Sequence, residues 1–184
     1  MDDRHKDKLR KLIVENYESA KFIKDNIEDA KSIVGEDIRE GVLGILKGKL
    51  SSEYTVESLP IDLSKDKISK IWIKPKNVHN DVGFGVESFS GQGHRYGRIF
   101  VGIFSPASTK KNPATIEGKT PFTENWPHIH KVDFENEWLS LSNEAVFQSI
   151  LDNNDDYKGR LITHIASEVC KFVNSEKETL SAVK

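Results

Sequence analysis

Residues 68–104 read ISKIWIKPKNVHNDVGFGVESFSGQGHRYGRIFVGIF, and the spacing of their apolar side chains decides the fold class. In 68–74, 82–89 and 96–104, apolar residues alternate with polar or small ones, the two-residue period of a pleated strand. Pro75 lacks the amide proton that a ladder needs, so it stops the first run. Ser90, Gly91, Gln92, Gly93 and His94 form a turn signal between the second and third runs. An antiparallel hairpin within a sheet is expected, with a short further strand around 130–134.

Outside this centre the period lengthens to that of a helix. Leu9, Leu12, Ile13, Tyr17, Ala20, Ile23, Ile27, Ala30 and Val34 recur in steps of three and four, describing a helix that Gly35 ends or bends. Residues 37–50 restart the pattern. Gly41, Gly44 and Gly48 share one face there, and each lowers helicity by about 1 kcal/mol relative to alanine. Such a face suits close packing, either within the chain or against a second copy, so a homodimer is one expectation. Downstream, 143–151 behind a cap at Ser142 or Asn143, and 158–173 with Leu161, Ile165, Val169 and Phe172 along one side, read as helices. The tail beyond Asn174 is expected to fray. The fold class is therefore α+β: an antiparallel β-sheet of three to four strands packed by N-terminal long helices and two C-terminal helices. A single domain over 1–184 is expected, helical in 1–57, sheet in 58–134 with a long loop at 105–126, and helical in 135–184.

A chain of 184 residues that is 36% hydrophobic closes one core but is short for two. No run of eighteen apolar residues exists and the first residues are charged, so no membrane partner is expected and a cytoplasmic location fits. The single cysteine, Cys170, excludes an internal disulfide framework and a multi-cysteine zinc site; its apolar helical setting suggests a buried thiol.

The formal charge is -2, yet it is unevenly spread. Residues 58–132 carry 11 Lys/Arg against 6 Asp/Glu, whereas 133–184 carry 5 against 10. Eight of the chain's sixteen aromatics also lie in the basic centre, among them Trp72, Phe100, Phe104 and Trp126. Basic side chains interleaved with rings suit nucleic acid, because cations meet phosphates and rings stack on bases. The candidate binding residues are Lys70, Lys74, Lys76, Arg95, Arg98, Lys110, Lys111 and Trp126. Alternating aromatics also build cores, with lysines keeping the opposite face solvated.

Motifs for chemistry are incomplete. Gly91-x-Gly93-x-x-x-Gly97 opens a strand rather than a helix, so it does not form a dinucleotide fingerprint. His128 and His130 fall on one side of a strand and could share a metal ion with a third ligand such as Asp133, His79, Asp81 or His94. Glu117-Gly118-Lys119 has the Glu-x-Lys form used by metal-dependent nucleases, with Asp81 as an upstream carboxylate and Mg²⁺ as the cofactor of that alternative. It lies between Pro113 and Pro121, in loop-like sequence rather than on a core strand. No cofactor is expected otherwise.

The segments IVENYESAKFIKDNIEDAK at 13–31 and RIFVGIFSPAS at 98–108, with Trp126-Pro127 and Trp138-Leu139 ahead of the closing helices, carry a resemblance. The chain resembles the C-terminal half of a group of PD-(D/E)XK nuclease superfamily proteins of bacteria and their phages. In that group the nuclease signature lies upstream of the matching region, so the resemblance transfers no catalytic residue. It implies a non-catalytic accessory module that binds nucleic acid or docks on a protein partner. The alternatives are a metal-dependent nuclease or hydrolase and a self-associating structural protein.

Overall fold

A computed structural model of the chain describes residues 3–58, 70–76, 82–91, 97–106, 115–153 and 156–183. Two helices, α1 (Asp3–Glu15) and α2 (Tyr17–Leu50), precede five strands: β1 (Tyr54–Ser58), β2 (Lys70–Pro75), β3 (Gly83–Glu87), β4 (Phe100–Phe104) and β5 (His128–Lys131). These strands pair antiparallel in chain order, so each neighbour in the sheet is the neighbour in sequence. A two-stranded ribbon, β6 (Asp133–Phe134) with β7 (Glu137–Trp138), leads to helices α3 (Glu144–Asp152), α4 (Tyr157–Ser175) and α5 (Lys177–Ala182). The fold is α+β.

Three features correct the expectation from sequence. The sheet has five strands rather than three to four, because YTVES at Tyr54–Ser58 forms the edge strand β1 with Tyr54 and Val56 inward. Only two apolar side chains mark it, too few for the period to stand out. The tail does not fray after Asn174: α5 forms, and Leu180 and Val183, three residues apart, are buried against the core. Helix α2 runs through Gly35 without a break. A Cβ on Gly35 would collide with the carbonyl oxygen of Phe89, so the glycine lets the helix pass close against the chain that follows β3.

Alternation sorts the sheet into two faces. Val56, Ile71, Ile73, Phe84, Val86, Val101 and Ile103 join Ile38, Val42 and Leu46 of α2 and Leu161, Ile165, Val169 and Phe172 of α4 in one buried cluster. Phe84 meets Phe172 edge-on at 6.0 Å between ring centres. At the start of α3, the Asn143 carboxamide oxygen accepts from the amides of Ala145 at 2.9 Å and Val146 at 3.4 Å, which satisfies two orphan donors. No helix among the described residues is long and apolar enough to cross a membrane.

The glycines of α2 separate by what surrounds them. Gly41 abuts Ile162, whose Cδ1 lies 2.7 Å from the place of a Cβ, whereas nothing lies within 4 Å of that place at Gly44 or Gly48. The shared glycine face is therefore part intramolecular contact and part open surface. Gly35→Ala is expected to destabilise by about 1–3 kcal/mol through overpacking, while Gly44→Ala gains about 0.5–1 kcal/mol of helix propensity. Urea midpoints moving in opposite directions for the two variants would bear this out; two shifts of the same sign would contradict it.

Candidate functional site

The face of the sheet turned away from α2 and α4 is built in rows set by register. One row runs Lys70, Glu87, Phe100, Lys131; the next runs Trp72, Gly85, Gly102, Ile129. Two adjacent glycines leave a lane without side chains, and Trp126 fills it. A Cβ on Gly85 would stand 2.6 Å from Trp126 Cη2, and one on Gly102 would stand 2.9 Å from Trp126 Cε3. The indole is 2% exposed and lies parallel to Trp72, with ring centres 6.1 Å apart and planes within 3°. Phe100 and Phe104 meet it edge-on at 5.1 and 5.3 Å. A tight turn delivers it: the Trp126 amide donates to the Thr123 carbonyl at 3.1 Å, and Phe122 donates to the Trp126 carbonyl at 2.9 Å. The described part of the 105–126 loop is thus folded onto the sheet.

Of the expected binding residues, Lys70 and Lys74 flank Trp72 on this face of β2, and Lys76 is exposed just past the strand. Lys70 Nζ is 5.5 Å from the centre of the Trp72 ring, within cation–π range. Trp126 itself is buried, so the ring that reaches the surface is its partner Trp72. Arg98 lies towards the other sheet edge, 5.3 Å from the Trp138 ring centre, where Lys131 stands 4.8 Å away. Trp138 is fixed between them because its Nε1 donates to the Ile99 carbonyl at 2.7 Å. Arg95, Lys110 and Lys111 lie outside the described residues, as does Asp81. Sequence reading missed Lys131 and Trp138 as members of this surface; the register that places Lys131 in a row with Lys70 crosses three strand pairings.

His128 and His130 lie on the opposite face, opposite Ile103 and Val101, and meet α4. His130 Nε2 is 3.1 Å from Glu168 Oε2, His128 Nε2 is 3.5 Å from Glu176 Oε1, and both rings pack on Phe172. Lys171 Nζ donates to Glu168 at 2.7 Å and Lys119 Nζ donates to Glu176 at 3.3 Å. The histidines thus pair with Glu168 of α4 and with Glu176 at the junction of α4 and α5 rather than converging with Asp133, which sits in β6 and whose carbonyl accepts from His164 at 2.7 Å. No group of three or more His, Cys, Asp or Glu able to hold a metal ion occurs among the described residues. Glu117 is exposed beside Gly118, whose φ of +74° makes a turn, so Glu117 and Lys119 stand on a loop and Lys119 is directed at Glu176. Cys170 is half-buried, and burial raises its thiol pKa, opposed by Lys49. In comparisons with protein-family models, with curated proteins and with solved structures, nothing matches this chain.

The cluster titrates in one direction. Burial lowers the pKa of His128, helped by the positive Lys119 and opposed by Glu176. The hydrogen bond from Lys171 is the main cause that lowers Glu168. Burial on its own would raise Glu176, but hydrogen bonds from Thr179 and Lys119 and the nearby positive charge outweigh it and lower it. All three groups bind protons more weakly folded than unfolded, so their contribution is present at neutral pH and is lost as pH falls. The urea midpoint should decline from near the usual histidine value of 6.5, then further below the usual carboxylate value of 4.5. His128→Asn should flatten the upper part and Glu168→Gln the lower. A midpoint that is level from pH 7.5 to 3.5 would contradict this assignment.

Proposed function

We propose that the chain is a non-catalytic binding module that takes single-stranded nucleic acid across the outer face of its sheet. The observation that carries this reading is the Lys70, Trp72, Lys74 strip, in which a partly exposed ring stands between two cations on one strand face. Same-face side chains on a strand recur about every 6.6 Å, so phosphates and a base meet alternating charges and a π-surface. Trp72 is held by a parallel indole and a glycine lane, and stacking on a ring already fixed in place costs little ordering entropy. Lys131, at the far end of the Lys70 row and separated from it by the buried Glu87 and Phe100, is a third exposed cation on this side of the sheet. Single strands fit better than duplex because an aromatic needs an unstacked base. The reading agrees with the accessory-module role implied by the resemblance to the C-terminal half of PD-(D/E)XK nucleases.

Fluorescence anisotropy with a labelled fifteen-nucleotide strand and its duplex, at 50 and 200 mM salt with and without Mg²⁺, tests the proposal. Three phosphate contacts give a slope near -2 in log affinity against log salt, so the single strand should weaken about twenty-fold between the two conditions. Lys70→Ala with Lys74→Ala should reduce the slope to about -0.7. Salt-insensitive binding, or none, would reject the nucleic-acid reading in favour of a protein partner. Mg²⁺-dependent cutting seen on a gel would instead favour the nuclease alternative.

A further inference from the structure

We propose that α1 and the first half of α2 form a parallel two-stranded coiled coil with a second copy of the chain. The observation is an apolar stripe that the rest of the molecule leaves largely uncovered from Leu9 to Ala30, and whose last member, Val34, packs against the core. Helix α1 buries no residue, and Leu9, Ile13, Ile23 and Ile27 are 44%, 50%, 62% and 46% exposed. A helical segment with nothing packed on it is marginal in water, and most helical stability comes from covering such a face. Leu9, Ile13, Asn16, Ala20, Ile23, Ile27, Ala30 and Val34 are spaced four, three, four, three, four, three and four residues apart. The alternation of four and three repeats every seven residues, the heptad that keeps one seam facing another helix along a left-handed supercoil. Asn16, at φ -123° and ψ 41°, bends the chain between the two helices: its amide closes α1 on the Leu12 carbonyl at 3.0 Å, and its carbonyl opens α2 by accepting from Ala20 at 2.9 Å.

The occupant follows from the flanks and from Asn16. With Ile13, Ala20 and Ile27 at the a positions, the e positions hold Arg10, Tyr17, Lys24 and Lys31, and the g positions hold Leu12, Ser19, Asn26 and Ile33. In a parallel pair each g residue meets the partner's following e residue, which gives Leu12 with Tyr17, Ser19 with Lys24 and Asn26 with Lys31. No like charges face one another. An antiparallel pair sets e against e and brings Arg10 towards Lys31, so charge selects the parallel arrangement. Asn16 is the polar residue inside the seam; its Nδ2 donates to the Leu12 carbonyl at 3.0 Å, and an in-register copy sets its carboxamide oxygen beside a second Asn16, whereas any other register sets it opposite an apolar side chain. At about 100° per residue the stripe lies roughly a quarter-turn from Ile38, Val42 and Leu46, which hold α2 on the sheet. A second helix therefore reaches the seam from Leu9 to Ala30 without displacing the core. Val14 and Phe22 are exposed away from the stripe, and Phe22 serves as a control.

Light scattering on the whole chain from 1 to 200 µM should give twice the monomer mass of 20.8 kDa. Ile23→Gln with Ile27→Gln should return the mass to one chain while tryptophan fluorescence, which reports only on the sheet and its ribbon, stays native. Phe22→Gln should remain a dimer. In a Cys170→Ser background, Asn16→Cys should cross-link quantitatively on mild oxidation, as a parallel in-register pair requires. A monomer throughout the range would overturn the proposal and leave the stripe to a different helix. Association that survives the double substitution but is lost in Gly44→Leu would overturn it in favour of the glycine face. A dimer that fails to cross-link at position 16 would overturn the parallel register.

Discussion

The contact of Trp126 with Gly85 and Gly102 holds together the side of the sheet that the helices do not cover. Two facing glycines weaken a sheet, because neither strand offers a side chain for its neighbour to pack on. Here the missing side chains make room for an indole, which covers both strands at once and brings the segment around 122–127 down onto them. Trp72 stacks on the same ring and gains a fixed orientation from it. The placement of β5 follows as well: Trp126 lies two residues before His128, the first residue of that strand. One buried ring thereby sets both the outer surface and the strand whose inner face carries the two histidines.

The inner face is governed by burial and, at its edge, by charge. The helices α2 and α4 cover the central strands with aliphatic side chains, and the approach at Gly35 draws α2 close enough to seal the region after β3. At the β5 edge the core gives way to an ionic cluster in which Lys119, His128 and His130 of the basic central segment face Glu168 and Glu176 of the acidic C-terminal segment. Lys158 with Asp37 and Lys177 with Glu53 likewise join distant parts of the chain. The charge asymmetry visible in the sequence is therefore partly answered within the fold, while Lys70, Lys74 and Lys131 stand on the outer face of the sheet.

Legibility followed the range of the interactions. The strands at 70–75, 83–87 and 100–104 and the long helices announced themselves, because a run of alternating or helically spaced apolar residues is a local pattern. Strand β1 and helix α5 did not, since each has two apolar residues at most along its inward side and gains its stability from the surface it docks on. Gly35 read as a helix end or bend because intrinsic propensity was the only term visible; the opposing term, close contact with the Phe89 carbonyl, involves a residue more than fifty positions away.

The candidate surfaces divide in the same way. The alternation of Lys70, Trp72 and Lys74, the 3.5-residue stripe from Leu9 to Val34, the expectation of an α+β chain and the basic centre are properties of residues close in sequence, and the sequence determined them by itself. Tertiary structure alone decided that Trp126 is a buried support while Trp72 is partly exposed, and that Lys131 shares a row with Lys70. It also decided that His128 and His130 meet Glu176 and Glu168 rather than Asp133. Those outcomes depend on strand register and helix docking, which are fixed by the packing of side chains far apart along the chain, and no local period encodes them.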